Sequence, residues 1–225
     1  MSTQATLPPA TPAEAKSGGG AVLQRLVSCR PYYEDSFVTI YNADATELAL
    51  PPVELVLTDP PYPNKAAHFD ADVEAAVRFM AAYQCDHWMI FWDELAAPPL
   101  NLPLVAKHVW HRNNSNRPDN YEPVYEFHAD AVKRASRCLP YPVIYPGLTG
   151  CEEATGHPTQ KNLKLMQRLI HMAGAKTILD PFCGSGTTIE AAKLMRLKVI
   201  GVEKSERWCE TTAARCAQDT LALGS

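Results

Sequence analysis

Several features that would assign a protein to a class are scarce or absent in this 225-residue sequence. The seven cysteines are an odd number without a Cys-x-x-Cys pair, so they indicate neither a disulfide framework nor a zinc site, and we expect reduced thiols and no metal. No apolar run is long enough to span a bilayer, and there is no signal-peptide pattern. Positive charge is not in excess, since the formal net charge is −4. Any contact with nucleic acid therefore depends on a local basic patch.

The chain divides into a short polar start and one domain. Residues 1–20 are rich in Ala, Thr, Pro, Ser and Gly and contain little that could be buried, so we expect this segment to be disordered. Residues 21–225 are enough for a single domain with a sizeable core.

A glycine-bearing turn predicts a ligand site. The apolar segment Lys176 to Asp180 has the pattern of a buried strand, and a helix is predicted from near Gly186. Between them, Gly184 and Gly186 permit a sharp turn and close approach of the backbone to a ligand. The same pattern also suits an ordinary tight turn. Position 189 is Ile where a dinucleotide-binding loop has its third glycine, which disfavours a dinucleotide.

A carboxylate on the following strand favours a nucleoside ligand. The apolar segment Lys198 to Val202 ends in Glu203, about twenty residues after the glycine loop. An acid at that position can accept hydrogen bonds from both hydroxyls of a ribose. The loop and the carboxylate together predict a nucleoside pocket.

A stiff turn follows another predicted strand, Val53 to Thr58. Asp59-Pro60-Pro61-Tyr62 contains two prolines, which fix their own φ angles and remove two backbone donors, so Asp59 and Tyr62 project in set directions. By itself, this turn could equally be a rigid surface feature.

Four elements taken together resemble a known family. Asp59 to Tyr62, His157 to Lys161, Asp180 to Gly186 and Gly201 to Glu203 resemble the S-adenosylmethionine-dependent amino-methyltransferases of DNA, and their order resembles the circularly permuted β class. The resemblance covers roughly residues 37 to 212. It implies a Rossmann-like α/β fold with a mostly parallel seven-stranded sheet flanked by helices.

The resemblance also implies roles for individual residues. Asp59 and the Pro60 carbonyl would accept the hydrogens of the target amine, and Tyr62 would stack on a flipped-out base. The implied catalytic residues are Asp59, Pro60, Pro61 and Tyr62. The implied cofactor-binding residues are Asp44, Asp59, His157, Thr159, Lys161, Asp180, Pro181, Phe182, Cys183, Gly184, Ser185, Gly186, Thr187 and Glu203.

Some of these positions have plainer alternatives. Asp44, after the predicted strand Phe37 to Tyr41, could be a helix N-cap instead of lining an adenine pocket. Thr159 could be the N-cap of the helix that ends at Gly174. The family often has proline where this chain has Asn162, a difference that should loosen the start of that helix.

DNA contacts are expected around residues 129–150, where the family inserts its target-recognition region. The candidate phosphate contacts are Arg112, Arg117, Lys133, Arg134 and Arg137. A solvated basic face explains the same residues equally well. The segments Leu104 to His111 and Tyr121 to His128 are predicted to form a hairpin at the edge of the sheet.

The predicted activity is site-specific methylation of adenine N6 in DNA, because the family's adenine enzymes favour Asp at position 59. Cytosine N4 is the near alternative, RNA or protein amides are more distant ones, and a non-catalytic DNA- or cofactor-binding module is an alternative of another class. Carbon-5 methylation of cytosine is disfavoured because no Pro-Cys dipeptide occurs. We expect a monomer or homodimer that binds DNA and no membrane, in the cytoplasm of a bacterium or phage-infected cell near the nucleoid, within restriction-modification.

Overall fold

The computed structural model describes residues 29–63, 72–95, 97–115, 120–144, 154–157 and 159–222, with the backbone alone at 219–222. The predicted disordered segment 1–20 lies outside these residues. The described strands are β1 (Tyr33–Glu34), β2 (Val38–Asn42), β3 (Leu55–Thr58), β4 (His87–Phe91), β5 (Leu104–His111), β6 (Tyr121–His128), β7 (Cys138–Pro140), β8 (Thr177–Asp180) and β9 (Lys198–Glu203). The helices are α1 (Val73–Ala82), α2 (Leu163–Ala173), α3 (Thr187–Leu194) and α4 (Glu206–Ala222), and a 3-10 turn covers Ala45–Glu47.

The described strands form one sheet in the order β1-β2-β9-β8-β3-β4-β6-β5-β7. The five strands from β2 to β4 in this order pair parallel, whereas β6 is antiparallel to both β4 and β5. The predicted mostly parallel sheet of seven strands is confirmed. The short strands β1 and β7 add one strand at each edge.

Both faces of the sheet are buried, as the continuous apolar strands require. Leu55 and Leu57 of β3 pack into a core with α2, α3 and α4, while Val56 between them points into a second core that includes Phe79 and Met80 of α1. This alternation is the period of two expected of a strand. It places three helices on one face and α1 on the other.

The helix ends agree in part with the sequence patterns. The sequence offers Asp70 or Asp72 as the cap of α1, and in the structure Asp72 caps it through the Ala75 N–H. Gly174 ends α2 in the left-handed conformation, as predicted. The alternative role of Thr159 as the cap of α2 is wrong. Asn162 is the N-cap, because its side-chain oxygen accepts the Leu165 N–H at 3.2 Å. Asn162 therefore secures the helix start that it was expected to loosen.

Two general properties follow from the described residues. Their cysteines are all free thiols, and the expected reduced state stays a prediction. Among their helices, none combines the length and the hydrophobicity that crossing a lipid bilayer would need.

Candidate functional site

The carboxyl ends of β2, β9, β8 and β3 lie side by side and open into a cavity of about 700 Å³. Parallel strands bring their C-terminal residues to one edge of a sheet, where α/β folds place ligands. Asp44, Glu203, residues 180–185 and Asp59 lie at or just after the ends of these four strands, in that spatial order, and line the cavity. Its volume is that of a site for a ligand of nucleoside size or larger.

The glycine loop forms the floor of this cavity. Gly184 and Gly186 have φ angles of +51° and +81°. A Cβ at Gly184 would lie 3.3 Å from Nε2 of His157, and one at Gly186 would lie 2.3 to 2.8 Å from side-chain atoms of Thr212. Both glycines are therefore required, one by the cavity wall and the other by the packing of the loop against α4.

Glu203 ties the end of β9 to the glycine loop. Its Oε2 accepts the Gly184 N–H at 2.9 Å, and its Oε1 accepts the Ser205 N–H at 2.8 Å. These bonds fix the direction of the carboxylate, and each oxygen has a further lone pair for a ligand hydroxyl. The geometry suits the predicted ribose contact, which stays a prediction.

Asp180 lies beneath the loop. Its Oδ1 accepts the Thr58 hydroxyl at 2.8 Å, and its Oδ2 accepts the Thr188 hydroxyl at 2.6 Å. Burial raises the pKa of Asp180 to about 6, although these hydrogen bonds oppose the rise. The carboxyl group therefore joins the ends of β3 and β8 to the start of α3.

Asp59 forms the centre of a charge network at the end of β3. Nζ of Lys161 lies 2.5 Å from Oδ2 of Asp59 and 3.4 Å from Oε1 of Glu122. The Lys161 ammonium also lies 4.7 Å from the centroid of the Phe91 ring. Burial would lower the pKa of Lys161, but the carboxylates of Asp59 and Glu122 outweigh it and raise that pKa. Lys161 is thus a charged side chain enclosed by carboxylates and an aromatic ring.

Glu122 connects this network to Tyr62 and Arg112. The Tyr62 hydroxyl donates to Oε1 of Glu122 at 2.7 Å, and Nη2 of Arg112 donates to Oε2 at 2.7 Å. The Tyr62 ring lies 5.7 Å from that of Trp92. Burial and the neighbouring carboxylates raise the pKa of Tyr62, so its hydroxyl keeps its proton. The two negative charges, of Asp59 and Glu122, balance the two positive charges, of Lys161 and Arg112, as a buried ionic network requires.

Glu122 is the main residue of this network to which the sequence interpretation gave no role, since a hairpin at the sheet edge was taken to explain it. The signal was present: a glutamate within an apolar strand is rarely buried unless it is paired. Glu122 is 3% exposed. Because β6 is antiparallel to β4, the start of β6 reaches the same edge as the end of β4, and this brings Glu122 to the network.

The other side of the cavity holds Asp44 and Trp208. Oδ1 of Asp44 accepts the Thr46 N–H at 2.8 Å, so Asp44 caps the 3-10 turn and also lines the cavity. Although burial opposes it, hydrogen bonds from Lys204 and Thr46 lower the pKa of Asp44 to about 2. The two interpretations of Asp44 are therefore compatible.

His157 packs between the glycine loop and α4, with its ring 4.5 Å from that of Trp208. Its Nδ1 accepts the Thr159 N–H at 3.3 Å. Burial, with the positive charges of Lys161 and Arg207, lowers the pKa of His157 to about 4. The imidazole is therefore neutral near pH 7. The remaining predicted cofactor residues also line the cavity, except Gly186: Pro181, Phe182, Cys183, Ser185, Thr187, Thr159 and Lys161.

The predicted DNA contacts are not gathered at this cavity. Lys133 donates to the Leu104 carbonyl and the Arg134 N–H to the Val105 carbonyl, both at the start of β5, the opposite end of the sheet. Arg112 is paired with Glu122, and Arg117 lies outside the described residues. From the expected recognition region, residues 129–144 are described, and they return toward the cavity edge along β5 through β7. Contact of these residues with DNA stays a prediction.

Comparison with known proteins supports the family resemblance. Residues 105–214 match the DNA methylase family of N6 and N4 type. The chain is 36% identical over 72 residues to the type II methyltransferase M.EcaI of Enterobacter cloacae, covering 31% of this chain and 16% of that protein. It is 33% identical over 120 residues to M2.MboI of Moraxella bovis, covering 51% and 42%. The chain thus spans less than half the length of these two relatives.

Solved structures share the fold. A complex of M1.HpyAVI with SAM aligns with a TM-score of 0.60 and 24% identity, covering 80% of this chain and 100% of that chain. The cytosine-N4-specific PvuII DNA methyltransferase aligns with a TM-score of 0.59 and 16% identity, covering 84% and 89%. The predicted fold is confirmed, and so is the resemblance to the N6 and N4 methyltransferases of DNA.

Proposed function

Since the chain is related to the N6 and N4 DNA methylases through residues 105–214, we propose that it transfers a methyl group from S-adenosylmethionine to adenine N6 in DNA. One observation carries the proposal. A buried lysine fixes the Asp59 carboxylate at a strand end that opens into the same cavity as the glycine loop and Glu203. An acceptor for an amine thus lies beside a nucleoside-sized pocket.

The residues around the cavity suit the cofactor. Glu203 would accept the ribose hydroxyls, and Asp44 with Trp208 would border the adenine. Gly184 leaves open the space that a Cβ would fill next to His157. The neutral His157 and Thr159 border the other end. When bound there, S-adenosylmethionine supplies an electrophilic methyl group on a sulfonium.

Asp59 supplies what an exocyclic amine needs in order to react. The nitrogen lone pair is delocalised into the base, so the amine is a poor nucleophile. By accepting amine hydrogens, Asp59 and the Pro60 carbonyl favour the pyramidal form, in which the lone pair is available. Alignment of the amine with the methyl carbon can itself contribute about 7 to 11 kcal/mol. When the amine nitrogen gains the methyl group and the sulfonium leaves as a thioether, Asp59 or solvent would take the proton that the nitrogen loses.

The charge network determines where Asp59 points. Lys161 binds one carboxylate oxygen, and Glu122 holds both Lys161 and the Tyr62 hydroxyl. The acceptor and the aromatic side chain expected to stack on the target base are therefore held by one set of contacts. Both lie on the stiff Asp59 to Tyr62 turn, which limits their movement when a flipped base enters.

The test is transfer of radiolabelled methyl from S-adenosylmethionine to unmethylated duplex DNA, followed by digestion of the product to nucleosides. We expect label in N6-methyladenosine and, because the acceptor is removed, at least about a hundredfold less transfer by Asp59→Ala. Asp86→Ala is the matched control. It removes an exposed carboxylate just before β4, at the opposite end of the sheet, and should leave transfer unchanged.

The outcomes separate the alternatives. Label in N4-methylcytosine would keep the mechanism and correct the substrate. Cofactor binding without any transfer to DNA would overturn the proposal in favour of another acceptor or a non-catalytic module. Full activity of Asp59→Ala would remove Asp59 from the mechanism.

A further inference from the structure

A second cleft lies away from the catalytic cavity, between the second half of α2 and the segment 134–137, which runs beside β5. Its volume is about 270 Å³. The polar side chains that line it are those of His108, Glu126, Arg134, Arg137, Arg168 and His171. Three guanidinium groups thus border a space that contains one carboxylate.

That carboxylate is already fully engaged. Oε1 of Glu126 lies 2.9 Å from Nε2 of His87, and Oε2 lies 3.1 Å from Nε2 of His108. Nδ1 of His108 accepts the Arg137 N–H at 3.2 Å, so Nε2 is the ring nitrogen that donates to Glu126. Glu126 therefore acts as the acceptor of a buried histidine pair and leaves the cleft with surplus positive charge.

The positive charge of the three arginines is only partly compensated. Nη2 of Arg134 binds Asp130 at 3.0 Å and its Nε lies 3.7 Å from Oε1 of Glu126, but its Nη1 is buried and has no hydrogen-bond partner in the described part of the chain. The guanidinium groups of Arg137 and Arg168 make no ion pair with any described carboxylate. A buried guanidinium N–H without an acceptor is costly, and three like charges around one cleft repel each other.

We propose that this cleft binds a phosphate-type oxyanion. A tetrahedral oxyanion offers several acceptor oxygens, which suit guanidinium groups arriving from different elements. It would satisfy Nη1 of Arg134 and neutralise Arg137 and Arg168 together. The volume accommodates a phosphate group and leaves one side open to solvent.

The phosphate could belong to a DNA backbone or to a small phosphorylated molecule. Leu163 begins α2 and adjoins Lys161. Arg168 and His171 lie about 8 to 12 Å further along the helix. This corresponds to a few nucleotide steps at about 3.4 Å per charge on one strand. A backbone phosphate a few nucleotides from the target base is therefore one source, and that source alone rests on the proposed function.

The first arm of the test uses inorganic phosphate and needs no methyl transfer. Phosphate is titrated into the full chain at constant ionic strength, with chloride as the reference, while the Nε–Hε signals of ¹⁵N-labelled arginines are recorded. We expect saturable shifts of the three cleft arginines and at least a fivefold weaker affinity in Arg137→Gln and Arg168→Gln. Lys176→Gln, which removes an exposed charge just before β8 and outside the cleft, should bind phosphate like the wild type.

The second arm measures the salt dependence of duplex DNA binding by the same variants. A slope reduced by about 0.9 for each lost arginine would assign the phosphate to DNA. An unchanged slope with phosphate binding retained by the wild type would assign it to a small molecule. If the wild type gives no saturable phosphate shifts and the cleft variants bind DNA like Lys176→Gln, the proposal is overturned, whatever the result for methyl transfer.

Discussion

Lys161 lines the cavity, and its direct partners are carboxylates of the chain itself. The family resemblance implied a cofactor-binding role for this residue, and in the structure its ammonium contacts Asp59 and Glu122. Its side chain is 7% exposed, so few of its donors remain for a ligand. We therefore assign Lys161 to positioning Asp59.

We expect Lys161→Met to lower kcat at least about tenfold, because Asp59 loses the contact that orients it. The Kd for S-adenosylmethionine should change less than about threefold, because Lys161 is assigned to Asp59 and not to the cofactor. The measurements are steady-state kinetics and cofactor titration. Lys161→Arg, which keeps the charge, should recover part of kcat. A large rise in Kd with an unchanged kcat would return Lys161 to the cofactor carboxylate.

Removal of Lys161 also leaves Asp59 and Glu122 without their shared cation, so thermal unfolding must be recorded alongside the kinetics. Breaking a buried ion pair typically costs about 3 to 5 kcal/mol. Comparison at a temperature where both variants remain folded separates loss of orientation from loss of the fold.

Asp180 gives a prediction for the pH dependence of stability. Its pKa is about 6 in the folded protein and near 3.8 when the chain is unfolded. The folded state therefore holds more protons between these values, and the contribution of Asp180 to stability falls as the pH rises from about 4 to 6. Asp180→Asn lacks this pH-dependent contribution. The free energy of unfolding of Asp180→Asn relative to the wild type should therefore increase from about pH 4 to 6 and stay level above pH 6, as measured by urea denaturation. An offset that is constant with pH would contradict the raised pKa.

At the scale of elements, two glycines at helix ends share a left-handed backbone conformation but have different surroundings. Gly186 before α3 has φ of +81° and Gly174 after α2 has φ of +70°. A Cβ at Gly174 meets nothing within 4 Å, whereas one at Gly186 overlaps Thr212. The two positions therefore separate backbone strain from steric overlap.

We expect Gly174→Ala to cost about 1 to 2 kcal/mol, from the left-handed backbone alone. Gly186→Ala should cost about 1 to 3 kcal/mol more, since either the loop or α4 must move. Chemical denaturation of both variants tests this difference. Equal costs would mean that the Thr212 side chain yields freely. Only Gly186→Ala should also weaken cofactor binding, because the other helix end lies away from the cavity.

At the scale of the whole molecule, electrostatics favour weak binding to arbitrary DNA. The net charge is −4, and the basic side chains of the described residues are largely paired or dispersed over both ends of the sheet. Since each phosphate contact contributes about 0.9 to the salt slope, we expect a slope of magnitude no greater than about 4 for non-specific duplex. Fluorescence anisotropy between 50 and 200 mM salt measures it. A steeper slope would require further basic surface, from residues outside the described ranges or from a second subunit.

The sequence by itself determined the elements whose chemistry is local. The glycine loop, the Asp59 to Tyr62 turn and Glu203 could be predicted because each follows a buried parallel strand, and the ends of such strands meet at one edge. The caps at Asp72 and Gly174 are local in the same sense. The alternative of Thr159 as the cap of α2 was wrong because Thr159 and Asn162 can both cap a helix and lie three positions apart. The local sequence does not determine at which of them the helix begins.

The tertiary structure decided which charges meet. Glu122 reaches Lys161 only because β6 is antiparallel to β4, a pairing that the local pattern of either strand leaves open. Lys133 and Arg134 were predicted as DNA contacts and lie at the end of the sheet opposite the cavity, because the chain leaves β6 there. Charge pairing depends on contacts between residues distant in sequence, whereas the patterns that predict strands and turns lie in consecutive residues.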